Sequence, residues 1–213
     1  WACPLAGAGA LGRDRRWWRW DARGPGRRIL DKYLPKGADD ADRYVGNFLA
    51  DKCLSSPFFA MNPFSSPGTA FKRWFPDRYS LLAKRLHETY GAKSLILWGP
   101  GEEEEAREIA LAAGEAALPA CPTTVVQLFS LLQRSRMYIG GDTGVMHLAV
   151  AAGIPVLALF GPTDCSVNAP FGDLSVVVKK DMPCSPCKEK ACASRRCMEA
   201  ISVDDVYRQA QVM

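Results

Sequence analysis

From residue 57 onward, short apolar runs alternate with longer segments whose apolar residues recur every three or four positions, which is the pattern of strands handing over to amphipathic helices. Residues 58–62 read as a first strand. Residues 77–90 carry Leu81, Leu82, Leu86 and Tyr90 at helical spacing, and Gly91 is placed to end that helix. A second buried strand is expected over 94–98. It is followed by a helix over 102–113 whose acidic first turn suits the positive end of the helix dipole, with Gly114 as its stop. Thr123 or Thr124 can cap a helix running to about 134. The pattern then predicts a strand over 137–139, a short apolar helix over 143–152, a strand over 156–160, a strand near 176–178, and a last helix from Val203 capped by Ser202. Repeated β-α units of this kind build an α/β fold with a Rossmann-like, mainly parallel sheet.

The start of the chain is different. Residues 1–45 are rich in Gly, Arg and Pro with weak periodicity, and a helical pattern appears only over 42–53. Two units are therefore expected: a poorly ordered leader over 1–56 and one folded domain over 57–213, in keeping with a length of 213 residues. With 48% hydrophobic and 23% charged residues the composition is that of a globular domain, which excludes wholesale disorder. Much of the excess positive charge behind the net +4 sits in the leader, where Arg13, Arg15, Arg16, Arg19, Arg23, Arg27 and Arg28 surround Trp17, Trp18 and Trp20. Arginine interleaved with tryptophan can pair with phosphates and stack on bases, or lie at an anionic membrane surface. The charge does not persist along the chain, so nucleic acid is not an expected partner, and a ragged leader is the favoured reading. No continuous apolar stretch follows the basic residues, so no signal peptide is read. The longest apolar run, 148–160, is broken by Gly153 and Pro155 and is too short to span a bilayer. Of eight cysteines, Cys3, Cys53, Cys121 and Cys165 are scattered, which argues against a disulfide-stapled scaffold and for a reducing cytoplasm.

In an open α/β sheet, ligands bind beyond the carboxyl ends of the strands. The segments that matter are thus the ones following each apolar run. Gly140-Gly141-Asp142-Thr143-Gly144 is the most informative, because it leads directly into an apolar helix. The unpaired N–H groups of a first helical turn, the Thr143 hydroxyl and close backbone approach at Gly144 can together hold a diphosphate. His147 follows Thr143 by four residues and shares its helix face. For these residues the plainer alternative is that Asp142 only caps the helix and His147 only packs. Asp-Thr-Gly also occurs in aspartic proteases, but there two copies meet in an all-β frame, whereas a single copy stands here among α/β elements. Lys72, on the loop after the first strand, can reach phosphate across the crevice or be a solvated loop charge. Glu103 opens a helix and can accept from ribose hydroxyls, or it can simply favour the dipole as one of the run Glu102–Glu105. No Walker loop and no Gly-x-Gly-x-x-Gly between strand and helix is present, which removes the main support for kinase, GTPase and dehydrogenase readings.

Residues 140–149 (GGDTGVMHLA), 151–156 (AAGIPV) and 159–164 (LFGPTD), together with Asn62-Pro63, Lys72-Arg73-Trp74, Trp98-Gly99 with Glu103 four residues on, and the tail Cys184-x-x-Cys187 with Cys192 and Cys197-Met198, resemble glycosyltransferase family 9, the lipopolysaccharide heptosyltransferases. The resemblance covers roughly 57–206 and implies the C-terminal, donor-binding half of a two-domain GT-B enzyme, with the leader at best a remnant of the acceptor domain. It implies inverting, metal-independent transfer of a sugar, typically heptose from ADP-heptose, to a lipopolysaccharide core or related glycan, with no cofactor, in the cytoplasm with peripheral contact at the inner membrane. Lys72 and the helix beginning at Thr143 then stabilise charge on the departing diphosphate. Glu103 holds the nucleoside, Asp142, Gly144 and His147 shape the donor pocket, and Ser65 and Ser66 donate to phosphate. The family's acidic general base lies in the other domain and maps onto no position here. A second reading is a non-catalytic nucleotide-sugar-binding module, and a third is a sugar-nucleotide epimerase of similar architecture. This sequence departs from the family pattern at Phe64, which replaces a glycine common after Asn-Pro, and at Phe75, which separates Trp74 from Pro76.

Cys184, Cys187, Cys192 and Cys197 are spaced C-x2-C-x4-C-x4-C, compact enough for four thiolates to meet one structural zinc. Free thiols or disulfides are the favoured alternatives for this cysteine-rich tail, 181–198.

Overall fold

The computed structural model describes residues 38–54, 57–187, 189, 192 and 194–213. The basic, tryptophan-rich stretch of the leader lies outside the described residues. Helix α1 (Ala38–Asp51) is followed by strand β1 (Phe59–Asn62), helix α2 (Pro76–Tyr90), β2 (Ser94–Ile96), α3 (Glu103–Ala113), β3 (Ala117–Pro119) and α4 (Val125–Gln133). Then come β4 (Met137–Gly141), α5 (Gly144–Ala151), β5 (Val156–Leu159), α6 (Cys165–Asn168), β6 (Ser175–Val178), α7 (Arg196–Glu199) and α8 (Val203–Val212). Single 3-10 turns sit at Ala70–Lys72 and Gly114–Ala116.

The six strands form one sheet in the order β3-β2-β1-β4-β5-β6, and every pairing is parallel. A parallel sheet needs cover on both faces, which is why its strands read as continuous apolar runs. Side chains alternate between the two faces. Phe59, Met61, Ile139, Leu157 and Leu159 join the cluster formed with α2, α3 and α8. Phe58, Ala60, Tyr138, Val156 and Ala158 face the cluster formed with α1, α4 and α5.

The helix ends follow the local signals. Gly91 closes α2 in the left-handed conformation at φ 65° and returns its N–H to the His87 carbonyl. Of the two threonines considered for α4, Thr124 is the cap and makes a reciprocal capping box with Gln127. Ser202 caps α8 in the same way with Asp205. Lys180 anchors Asp205 from the end of β6 at 2.8 Å. Burial pushes the Asp205 carboxyl up, but hydrogen bonds from Lys180 and Ser202 outweigh it and hold the group at about 2.

Strand β3, the short helices α6 and α7, and the start of α1 differ from the sequence pattern. Strand β3 was not foreseen: it is three residues long and ends on Pro119, a residue tolerated there because β3 is an edge strand whose outer N–H side needs no partner. Helix α1 begins at Ala38, ahead of the expected 42, and packs into the fold. Tyr44 donates to the Pro122 carbonyl at 2.9 Å, Ser130 donates to Asp42 at 2.6 Å, and Arg134 pairs with Asp42 at 2.7 Å. Val45 is fully buried. Residues 38–54 are thus part of the folded unit that the pattern began at residue 57. No helix among the described residues is long and apolar enough to cross a membrane.

The tail crosses back over α2. Trp74 donates its indole N–H to the Ile201 carbonyl at 2.9 Å, and the Arg78 guanidinium gathers the carbonyls of Met198 and Ile201. Gly161 leaves room for this segment, since a Cβ there would meet the Met198 sulfur and Cys197 Sγ.

Candidate nucleotide-sugar site

Strand order turns at β1: β2 and β3 lie to one side, β4 to β6 to the other. The loops leaving β1 and β4 therefore part in opposite directions and open a crevice at the carboxyl ends of these two strands, the place where such folds bind ligands. Asn62 and Gly140 are register partners at that edge.

Beneath the crevice lies a closed hydrogen-bond network. Asn62, only 5% exposed, donates through Nδ2 to the Tyr138 hydroxyl at 3.3 Å and to Thr143 Oγ1 at 3.2 Å. Its Oδ1 accepts from the Phe64 N–H, and its backbone carbonyl accepts from the Tyr79 hydroxyl at 3.1 Å. Tyr138 and Thr143 are themselves 3.3 Å apart, oxygen to oxygen. Burial pushes the Tyr138 phenol up to about 12, against the opposing pull of its bonds to Thr143 and Asn62. Burial raises the Tyr79 phenol well above its usual range too. Gly140 is required by this arrangement, because a Cβ at that position would lie 2.4 Å from the Tyr138 hydroxyl and 2.9 Å from the Asn62 carbonyl.

Above the network, Thr143 caps α5 by accepting from the Met146 N–H, and the first N–H groups of the helix have no acceptor within it. A Cβ built on Gly144, which is exposed, meets nothing within 4 Å. Lys72 crosses from the β1 loop and pairs with Asp142 at 3.3 Å, the two side chains being 18% and 12% exposed. This brings together two residues 70 positions apart, and it sets an ammonium group beside a helix N-terminus. Both carry positive character, with the Asp142 carboxylate as the ammonium group's present partner.

The remaining expected residues are placed as follows. Ser65 is buried and committed within its own loop, donating to the Thr69 carbonyl and accepting from Arg73 Nε at 3.0 Å, while Ser66 is exposed. Glu103 is exposed and pairs with Arg107 one helical turn away at 2.6 Å. His147 is exposed on α5. Sequence reasoning passed over Arg73 and Glu102. Arg73 donates to the Ser65 carbonyl at 2.6 Å and to Glu102 at 3.0 Å, and the other Glu102 oxygen accepts from the Gly99 N–H at 2.9 Å. This bridge ties the loop after β1 to the loop after β2.

The tail thiols Cys184, Cys187, Cys192 and Cys197 are free. Among the described residues no three His, Cys, Asp or Glu side chains gather to hold a metal ion. The tail is fastened to the turn after β5, where Ser185 donates to the Gly161 carbonyl at 2.5 Å and the Cys187 N–H to the Pro162 carbonyl at 2.8 Å.

Comparison with known proteins bears on what this anion site serves. Residues 31–197 match the model of the family described as Glycosyltransferase family 9 (heptosyltransferase). Lipopolysaccharide heptosyltransferase 1 of Pseudomonas aeruginosa is 32% identical over 187 residues, which cover 84% of this chain and 50% of that protein. The solved family 9 glycosyl transferase of Veillonella parvula superposes with a TM-score of 0.69 at 20% identity, covering 81% of this chain and 50% of that one. The E. coli heptosyltransferase WaaC, solved with ADP-2-deoxy-2-fluoro heptose, gives a TM-score of 0.59 at 18% identity over 80% of this chain and 47% of that one. The chain spans about half the length of the curated relatives it matches.

Proposed function

The chain belongs to glycosyltransferase family 9, the heptosyltransferases, and on that premise we propose that its β1/β4 crevice binds the diphosphate of a nucleotide-sugar donor, ADP-heptose in the first instance, for transfer to a lipopolysaccharide core or related glycan. The observation that carries this reading is the Lys72–Asp142 pair lying beside the Thr143-capped start of α5. WaaC, similar in fold, binds an ADP-heptose analogue, and ADP-heptose presents the charge this crevice lacks.

In the proposed reaction an acceptor hydroxyl gives its proton to the acidic base expected from the acceptor-binding half and forms a bond to the anomeric carbon from one face, while the carbon–oxygen bond to the diphosphate breaks on the other, inverting the centre. Negative charge grows on the leaving diphosphate. Lys72 moves from Asp142 onto a phosphate oxygen, and the α5 N–H groups and Thr143 hydroxyl meet the others, so the stabilisation is preorganised rather than recruited from water. Asp142 keeps the ammonium group aimed at the crevice until the donor arrives. Glu103 exchanges its exposed partner Arg107 for the ribose hydroxyls at little cost, and the Arg73–Glu102 bridge holds the loop that carries it. Ser66 donates to phosphate from the β1 loop, and His147 borders the sugar. A lipid-linked glycan acceptor places the protein at the inner face of the inner membrane.

A calorimetric titration of the full chain with ADP, UDP and ADP-heptose tests this reading. ADP and ADP-heptose should bind and UDP should bind more weakly. Absence of heat with all three removes the donor site.

A further inference from the structure

Given the donor-site reading, on which this inference rests, we infer that Asn62 and Tyr138 are positioning residues that orient the Thr143 hydroxyl proton outward, making Thr143 an obligatory hydrogen-bond donor to the diphosphate. The Asn62 amide has a fixed orientation, because Oδ1 accepts from the Phe64 N–H and a flipped amide would set two donors against each other. Nδ2 therefore donates to both hydroxyls, Tyr138 at 3.3 Å and Thr143 at 3.2 Å. Each hydroxyl has a single proton left to place. Tyr138 is fully buried, and among the described residues the one acceptor bonded to its hydroxyl, other than the group already donating to it, is Thr143 Oγ1.

A buried hydroxyl left without an acceptor is costly, so the Tyr138 proton goes to Thr143. The Thr143 oxygen then receives Asn62 and Tyr138 and shares the Met146 N–H with its own backbone carbonyl. Its lone pairs are taken. Among the described residues the bond left for Thr143 to make is the donation of its own proton, which this arrangement directs at the crevice. A group left only to donate needs an accepting ligand atom, and an anionic phosphate oxygen is a stronger acceptor than a water or sugar hydroxyl. The burial that keeps Tyr138 protonated up to about pH 12 keeps this arrangement in force at any working pH.

The test compares ADP with adenosine on the full chain and on Tyr138→Phe, Thr143→Val, the double variant and Thr143→Ser. Thr143→Val should lose about tenfold in ADP affinity and Tyr138→Phe about threefold, with adenosine affinity held within about twofold throughout. The double variant should bind ADP no more weakly than Thr143→Val alone, and Thr143→Ser should restore most of the affinity. A merely structural role for Tyr138 would lower adenosine and ADP binding together. The inference is overturned if Tyr138→Phe leaves ADP binding intact, weakens adenosine equally, or adds its full effect to that of Thr143→Val. Failure of the unaltered chain to bind ADP at all removes the donor-site reading itself, and this inference with it, so the two failures are told apart by the first titration. Thermal melting of Tyr138→Phe within a few degrees of the unaltered chain confirms that the variant is folded.

Discussion

Lys72→Ala should weaken ADP binding by about 10- to 100-fold while leaving adenosine binding within about twofold, the range expected when a charge-assisted hydrogen bond to an anion is lost in a partly desolvated site. Lys72 and Asp142 are mostly shielded from water, so the ammonium group meets a diphosphate with little screening. The same substitution strands the Asp142 carboxylate without its partner, at a cost to the free chain of about 1 to 3 kcal/mol. The two effects separate in a double variant. Lys72→Ala with Asp142→Asn should recover most of the stability and none of the ADP affinity, because neutralising Asp142 repairs the fold without restoring the cation. Recovery of both would mean that Lys72 acts only by holding the loop. Isothermal titration together with chemical denaturation of the single and double variants decides between these outcomes.

Gly140→Ala should destabilise the fold by about 2 to 4 kcal/mol, the upper end of overpacking effects in a buried strand. The new methyl would meet the Tyr138 hydroxyl at 2.4 Å, its ring carbon at 2.7 Å and the Asn62 carbonyl at 2.9 Å. Backbone oxygen on one side and a fully buried ring on the other leave no cheap escape. For a chain of this size that corresponds to a drop in melting temperature of roughly 5 to 15 °C. Gly144→Ala is the control four residues away. A Cβ there meets nothing within 4 Å, and the position opens α5, so its melting temperature should stay level or rise slightly. A Gly140→Ala variant that melts with the parent chain would contradict the packing described for the floor of the crevice.

Much of the architecture is legible in the sequence because local and long-range preferences agree along it. The parallel strands are apolar runs bounded by glycine or proline, and the α5 cap announces itself as Gly-Gly-Asp-Thr-Gly. What escaped is instructive. Strand β3 carries neither an alternating pattern nor β-branched residues, only Ala117, Leu118 and Pro119, and it exists because β2 offers it a neighbour. Helix α1 follows a segment without periodicity, and its place in the fold depends on Asp42 meeting Ser130 and Arg134, residues far along the chain. In the site, Lys72 is recognisable, yet the adjacent Arg73 is the residue that spans to the next loop. A run of four glutamates does not reveal which carboxylate turns inward. The backbone at the start of α3 decides that Glu102 folds back on Gly99 while Glu103 pairs along the helix surface. Tyr138 reads as an ordinary core residue. Only the glycine two positions later, on the same face of the strand, hints that its hydroxyl needs space.

A crystal structure of the full chain with ADP would show whether the crevice between β1 and β4 holds a diphosphate. Phosphate oxygens are expected within hydrogen-bond distance of Lys72 Nζ, Thr143 Oγ1 and the N–H groups that open α5, with Lys72 drawn away from Asp142. A diphosphate bound elsewhere, with the Lys72–Asp142 pair intact, would contradict that placement.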